Sequence, residues 1–247
     1  MDETLEIRQQ NEIEHGKSFT GHCVENIWGW GSPAGKFRAK RRGQIIINGA
    51  ACGTGVHTLE IGCGTGLFTE MVAESGATIL AVDISEELLE QARQRELNED
   101  QVQFKCTAFE KVDIQGTFDA VVGSSILHHL ECDTAFPKIF ELLKPGGVMS
   151  FAEPNMLNPQ ILLIKKIKWI GQMFGESPDE TAFVRWKLKK RLEGIGFTDV
   201  QITPFDWLHP ITPRPLISLV ETMGRVAEKL PFLREFSGSL HIRAYRT

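Results

Sequence analysis

The stretch Leu59–Gly66, LEIGCGTG, decides the fold. It ends the apolar run HTLEI (57–61) in a glycine-rich turn, which leads directly into LFTEMVAE (67–74). A short apolar strand, a turn and an amphipathic segment make one strand–turn–helix unit. Glycine at 62, 64 and 66 lets the backbone bend tightly and approach a ligand where a Cβ would collide. The N-terminus of the helix that follows suits a carboxylate or a phosphate.

The tetrapeptide CGTG also stands at Cys52–Gly55, but there another strand follows with no helix between, so it reads as an ordinary loop. The turn at 62–66 is not the dinucleotide fingerprint G-x-G-x-x-G/A, because counting from Gly62 the last position is Leu67. Glu60, just before the turn, suits a ligand with a cationic amine and would repel a pyrophosphate. Asp83 ends the next strand, TILAVD (78–83). A carboxylate there can accept hydrogen bonds from both hydroxyls of a ribose.

Outward from the turn, short apolar runs alternate with amphipathic ones, the pattern of helices around a mostly parallel sheet. SEELLEQARQREL (85–97) predicts a helix with Ser85 as N-cap and acids in its first turn. Strands are expected at 102–106, 118–124 and 147–153, with a helix around 134–143 stopped by Lys144-Pro145-Gly146-Gly147. After Pro154 the rhythm breaks. An insertion of about 155–179 precedes a helix at 181–193 and a strand at 198–204; a second insertion, 205–236, holds a helix; SLHIRAYR (239–246) is the last strand. The organisation expected is one domain, 57–247, with two insertions, preceded by an extension, 1–56, that is helical around 36–47.

A chain of 247 residues with 42% hydrophobic and 24% charged residues is ordinary for a globular protein with one large core. A net charge of −5 lacks the basic excess that nucleic acid would demand. The five cysteines form no C-x-x-C pair, so neither a disulfide framework nor a zinc site is expected. The polar start MDETLEIRQQNEIEH does not read as a signal peptide, and no apolar run reaches a membrane span; a reduced, cytoplasmic protein is the expectation.

LEIGCGTG, AVDIS, FDAVVGSSILHHL and LLKPGGVMSFAEPN, in this order and spacing, resemble the class I S-adenosylmethionine (SAM)-dependent methyltransferases, particularly those acting on small molecules. The resemblance covers Thr58–Pro154, with weaker similarity through GFTDVQITP and the final strand. It implies a Rossmann-like, doubly wound α/β fold with a seven-stranded, mostly parallel sheet whose last strand is antiparallel. It implies SAM as cofactor, with Glu60, Gly62 and Gly64 at the methionine part, Cys63 and Gly66 as further cofactor-binding residues of the turn, and Asp83 on the ribose. Ile84 would pack on the adenine and Gly123 would lie beside the methionine part. The family usually places an acid after the third strand; here Cys106-Thr107-Ala108-Phe109 stands, leaving Thr107, Ala108 and Phe109 as adenine neighbours.

Methyl transfer to a nucleophile requires the positioning of two substrates, sometimes the removal of a proton, and no metal. His128 and His129 follow the fourth strand; either the pair is structural or one ring is a base, with His128 the candidate. Glu153 and Asn155, at the end of the fifth strand, are read equally as acceptor contacts or as a strand-ending turn. The absence of N/D-P-P-Y/F at Gly123–Ile126 counts against methylation of adenine amino groups.

Trp28 and Trp30 are candidate walls of the acceptor pocket, His209-Pro210 a further one. The basic run Lys36, Arg38, Lys40, Arg41 and Arg42 either meets an anionic substrate or forms a solvated helix face. The helix expected at 159–174, apolar with Lys165, Lys166 and Lys168, reads as a lid over the cleft in preference to a membrane-surface segment. The acceptor expected is a small or lipid-like molecule, with no nucleic acid partner and no stable membrane insertion. Two competing readings are a non-catalytic SAM-binding or scaffold protein of the same fold and, disfavoured by Leu67, an NAD-dependent oxidoreductase.

Overall fold

The computed structural model describes residues 3–18, 23–111, 114, 116–166 and 183–247. Seven strands form one sheet in the order β3-β2-β1-β4-β5-β7-β6. They are β1 His57–Ile61, β2 Thr78–Asp83, β3 Val102–Cys106, β4 Phe118–Ser124, β5 Leu143–Pro154, β6 Phe197–Phe205 and β7 Ser239–Arg246. The first five run parallel, and β7 inserts antiparallel between β5 and β6. The order reverses between β1 and β4, and ligands of such sheets bind outside the carboxyl ends of the strands at that switch point.

The sheet is buried on both faces because its strands are apolar on both sides. On β4, Val121 joins one cluster with Phe136 and Ile139 of helix α6 (Cys132–Leu142) and with Leu188 and Leu192 of α8 (Arg185–Ile195). Its neighbours Ala120 and Val122 face the other way, onto Ile46 and Ala50 at the end of α3 (Pro33–Gly49). The second face continues over β2 and β3, where Ile79, Ala81 and Val102 pack under Val72 of α4 (Leu67–Glu74) and Leu89 of α5 (Glu86–Arg93). Phe118, Phe136 and Phe151 are fully buried, each contributing about 1.5–3 kcal/mol over an exposed position.

Ser85 caps α5 by accepting from the Leu88 amide. The helix stops at Arg93, short of the predicted Leu97: Glu96 takes a left-handed φ of 52°, and Arg95 turns back to donate to the Thr65 carbonyl at 2.7 Å. The run Lys144–Gly147 does not separate α6 from β5. It is taken into the strand, whose register against β4 shifts between Phe118 and Ala120. The helix predicted at 181–193 spans Arg185–Ile195, with 181–182 outside the described residues.

The extension is helical beyond the predicted stretch, in α1 (Glu3–Ser18), α2 (Val24–Ile27) and α3. Ser32 caps α3, its hydroxyl accepting from the Gly35 amide, and Pro33 follows at the first helical position. Of the first insertion, α7 spans Pro159–Lys166, while Ile167–Phe174 of the expected lid lie outside the described residues. The second insertion carries α9 (Ile217–Lys229) between two short 3-10 turns. Among the described residues no helix is long and apolar enough to cross a membrane.

Candidate active site

The glycine turn is built as its spacing predicts. Gly62, Gly64 and Gly66 all have positive φ, at 66°, 53° and 75°, and Gly66 stands as the N-cap of α4. A Cβ on Gly62 would lie 2.3 Å from Ile126 Cγ1, so this residue is fixed by space as well as by φ. The earlier CGTG is the turn between α3 and β1, where a Cβ on Gly55 would meet nothing within 4 Å.

Asp83 ties the turn to the end of β2. Its Oδ2 accepts the Gly64 amide at 2.8 Å and its Oδ1 the Ser85 amide at 2.9 Å. Burial raises its pKa, opposed by the hydrogen bonds from Ser85, Gly64 and Ile84. Each carboxylate oxygen has two lone pairs, so these amides leave acceptor capacity for a further donor.

A cavity of about 360 Å³ opens over the carboxyl ends of β1, β2 and β4. Its wall includes Gly62, Cys63 and Gly64 of the turn, Asp83 and Ile84 after β2, and Thr107, Ala108 and Phe109 after β3. Trp28, Trp30, His128 and His129 line it as well. Of the pocket candidates read from the sequence, Glu60, Gly66, Gly123, Glu153, Asn155, His209 and Pro210 stand off this wall. Asn155 is turned away, its amide donating to the Glu235 and Ser237 carbonyls at 2.8 Å each and so fixing the approach to β7. Gly123 lies beneath Ile126 and Phe151.

Glu60 is buried behind the turn, with Oε2 lacking a hydrogen-bond partner among the described residues. Burial lifts its pKa from 4.5 to about 7; the nearby Thr69 hydroxyl lowers it and the charge of Asp83 raises it. Between those two pH values the folded state holds a proton that the unfolded chain has released. Stability therefore falls as pH rises through this window, by up to about 3 kcal/mol. Glu60→Gln is expected to remove that slope, gaining on the natural chain from about pH 5 to about pH 8 in urea unfolding midpoints. Parallel pH–stability curves for the two proteins would contradict it.

His128 and Glu153 form a buried pair. His128 Nδ1 and Glu153 Oε2 are 2.7 Å apart, while Glu153 Oε1 accepts the Ile126 and Leu127 amides at 2.9 Å each. Burial would raise the Glu153 carboxyl, but the His128 hydrogen bond and charge and the two amides outweigh it and hold the pKa below the usual value. An ionised Glu153 makes Nδ1 the donor and Nε2 the basic nitrogen of a neutral His128 ring. The His129 ring lies beside it, centroids 4.2 Å apart.

The extension roofs the cavity. Arg8 of α1 donates to the His129 and His128 carbonyls at 2.8 and 3.0 Å, and the Glu12 carboxylate lies 3.1 Å from His129 Nδ1. Glu25 of α2 pairs with Arg95, which also pairs with Glu70 and so clamps the turn. Trp28 lies over Gly64, and Trp30 packs edge-on against Phe68.

The basic run of α3 is not a solvated face as far as its arginines go. Arg38 pairs with Asp206 at 2.8 Å and Arg41 with Glu228 at 2.5 Å, joining the extension to the second insertion. Arg42 is buried and donates to the Ser124, Ser125 and Ser239 hydroxyls and the Ala152 carbonyl, none of them anionic. Burial and the charge of Arg38 lower its pKa to about 10, so it stays charged at neutral pH. Ser124 and Ser125 reach the cavity wall in front of it.

Sequence reasoning did not single out Arg8, Gln9, Glu12, Ser125 or Glu110 as cavity residues. Glu110 stands three residues beyond Thr107, its carboxylate accepting from Gln9 and from the Glu131 amide at 3.4 and 3.2 Å. The only local signal for it was an acid close after β3, offset from the position the resemblance marks.

A family described as methyltransferase domain matches residues 59–149, the span from β1 into β5. The ubiquinone biosynthesis O-methyltransferase of Idiomarina loihiensis is 33% identical over 135 residues, 51% of this chain and 56% of that protein. The chain thus spans about half the length of the curated relatives it matches, between 44% and 57% of each. The solved N-methyltransferase NodS of Bradyrhizobium japonicum, in complex with S-adenosylhomocysteine, has a TM-score of 0.62 at 16% identity, covering 97% of this chain and 98% of that one. Phosphoethanolamine N-methyltransferase 2 of Haemonchus contortus, with phosphomonomethylethanolamine and S-adenosylhomocysteine, gives 0.65 at 16% identity, over 94% of this chain and 59% of that one. Residues 59–149 are thus similar to a methyltransferase domain, and the chain shares the fold of these solved methyltransferases.

Proposed function

We propose that the chain transfers a methyl group from SAM to a small or lipid-like acceptor. The observation that carries this reading is the meeting of the Gly62–Gly64 turn and the Asp83 carboxylate on one cavity wall. The residues present fit the cofactor. The turn offers backbone at close approach, Asp83 has acceptor capacity for a ribose, and Glu60 holds an unpartnered carboxylate oxygen behind the turn. A volume of about 360 Å³ suits a small molecule.

SAM bound there supplies an electrophilic methyl group on a cationic sulfur. The chain's own work is to bind, orient and exclude water. Asp83 holds the ribose, while Ile84, Thr107, Ala108 and Phe109 enclose the base. Arg42, charged and with only neutral hydrogen-bond partners, neutralises a carboxylate presented at Ser124 and Ser125. Trp28, Trp30 and His129 wall the acceptor, and His128 accepts its proton at Nε2. Glu153 works through His128 rather than on the acceptor. Asn155 holds the chain before β7.

Titration calorimetry with SAM is expected to give a dissociation constant on the order of micromolar or tighter, and NAD no comparable heat. Incubation with methyl-labelled SAM and a metabolite extract is then expected to label a small product. No heat with SAM, or tighter binding of NAD, overturns the reading. Binding without any labelled product favours a non-catalytic SAM-binding protein.

A further inference from the structure

The second insertion presents an apolar face that the fold does not use. Among the described residues, eight of the fourteen exposed large hydrophobic side chains fall within the 23 residues Ile211–Leu233. Six of them, Leu216, Leu219, Met223, Val226, Leu230 and Leu233, recur at alternating spacings of three and four, which places them on one side of α9 and its flanking turns. Ile211 and Phe232 project beside the two ends of the stripe, 82% and 73% exposed. Isolated exposed hydrophobics need no explanation, but a continuous stripe does.

The opposite side of α9 already anchors the helix. Ile217 packs on Leu208 and Ala34, and Gly224 lies so close to Trp207 that a Cβ there would stand 2.9 Å from the Trp207 Cβ. Among the described residues, none buries the outer stripe.

Charge decides what covers it. Residues 211–236 hold three acids, and all are engaged: Glu221 pairs with Arg225 at 2.7 Å and faces Arg41, Glu228 pairs with Arg41, and Glu235 pairs with Arg185 and Arg234. The four cations of the same stretch are Arg214, Arg225, Lys229 and Arg234, the first three exposed. Arg225 and Lys229 follow the stripe along one flank of α9 at helical spacing. The outward face is apolar with a cationic border and no exposed acid. A two-fold pairing with a second copy would bring these cations against one another with no free acid to meet them. An anionic lipid surface meets both the apolar stripe and its border.

We propose that this face docks the chain peripherally on an anionic lipid surface, α9 lying in the interface plane. Apolar side chains enter the acyl boundary while Arg214, Lys229 and their neighbours meet lipid phosphates. This is a different helix from the lysine-rich 159–174 segment, and its docking does not depend on the methyl-transfer reading, because partition onto vesicles is measured without SAM.

The test is cosedimentation of the full chain with vesicles of phosphatidylcholine containing roughly 30% phosphatidylglycerol, and with phosphatidylcholine alone. The natural chain is expected to bind the anionic vesicles and to bind neutral ones about tenfold more weakly, the difference shrinking in high salt. Leu219→Glu with Met223→Glu, both exposed, is expected to keep the circular dichroism spectrum and lose about tenfold or more of the binding. Lys229→Glu should weaken binding to anionic vesicles only. Absence of the natural chain from both vesicle pellets overturns the proposal, as does equal binding by the double variant. So does a concentration-dependent dimer in sedimentation velocity that the double variant dissolves, which would give the face to a second copy.

Discussion

Asp83→Ala is expected to weaken SAM binding by about two orders of magnitude or more while leaving the sheet intact. On the proposed reading the carboxylate accepts from the ribose hydroxyls, and charge-assisted hydrogen bonds of this kind are worth about 1.5–3 kcal/mol each. The variant also releases the Gly64 and Ser85 amides that Asp83 now holds at 2.8 and 2.9 Å, so the glycine turn loses its tie to β2. Asp83→Asn separates the two effects. It keeps the shape and one acceptor oxygen, but its amide group cannot accept from a backbone N–H, so a smaller loss of about tenfold is expected. Calorimetry with SAM checks both, alongside urea unfolding to show that the variants fold. Unchanged affinity in folded Asp83→Ala would remove Asp83 from the site. It would leave the vesicle-docking face untouched, since that face lies on the second insertion.

The reasons this site is legible at Asp83 and illegible elsewhere are physical. The turn, β1 to β4 and the final strand are specified locally, by apolar runs of strand length and by glycines at positions that no other residue fills easily. Residues within one strand–turn–helix unit keep their relation wherever the unit lies, so Gly62, Gly64 and Asp83 could be placed on one wall from spacing, and Ile84 beside them from the resemblance. Roles set by distant packing could not. Glu153 is one strand end in the sequence, yet whether it faces an acceptor or His128 depends on how residues 126–128 fold back over β5. Asn155 belongs to a loop only once residues 235–237 arrive beside it. The run KFRAKRR, read as substrate-binding or solvated, is not a solvated face for its arginines, because Asp206, Glu228 and three serines from three separate strands and loops converge on them. Nor did the polar helix α1 announce itself as a roof. Its grip on the histidine loop runs through Arg8 and Glu12, residues that look solvated in any one-dimensional reading.

His128→Gln is expected to lower methyl transfer by about 10²–10⁴-fold at saturating SAM, with SAM affinity changed little. The ring lines the cavity, and the ionised Glu153 behind it fixes Nδ1 as the donor, so that Nε2 is the nitrogen able to take a proton from an acceptor. The difficulty is that the same pair also holds structure: Glu153 binds the two backbone amides at the start of the loop, and a merely structural His128 would cost activity by letting that loop drift. The pH profile separates the two roles. If His128 is the base, kcat/KM of the natural chain rises with pH along a limb that is absent in His128→Gln, and activity of the variant recovers as pH is raised and the acceptor ionises unaided. If the pair is only structural, the variant keeps the same limb and loses a constant factor at every pH. Glu153→Gln adds the second axis. A Gln at that position cannot hold both the amides and the imidazole as a carboxylate does, so it is expected to lower kcat and to shift the limb toward lower pH, by removing the charge that stabilises the imidazolium. A Glu153→Gln protein whose limb stays where it is, with stability alone reduced, would confine Glu153 to holding the loop. A His128→Gln protein within about threefold of the natural rate would assign the catalysis to positioning of the two substrates alone.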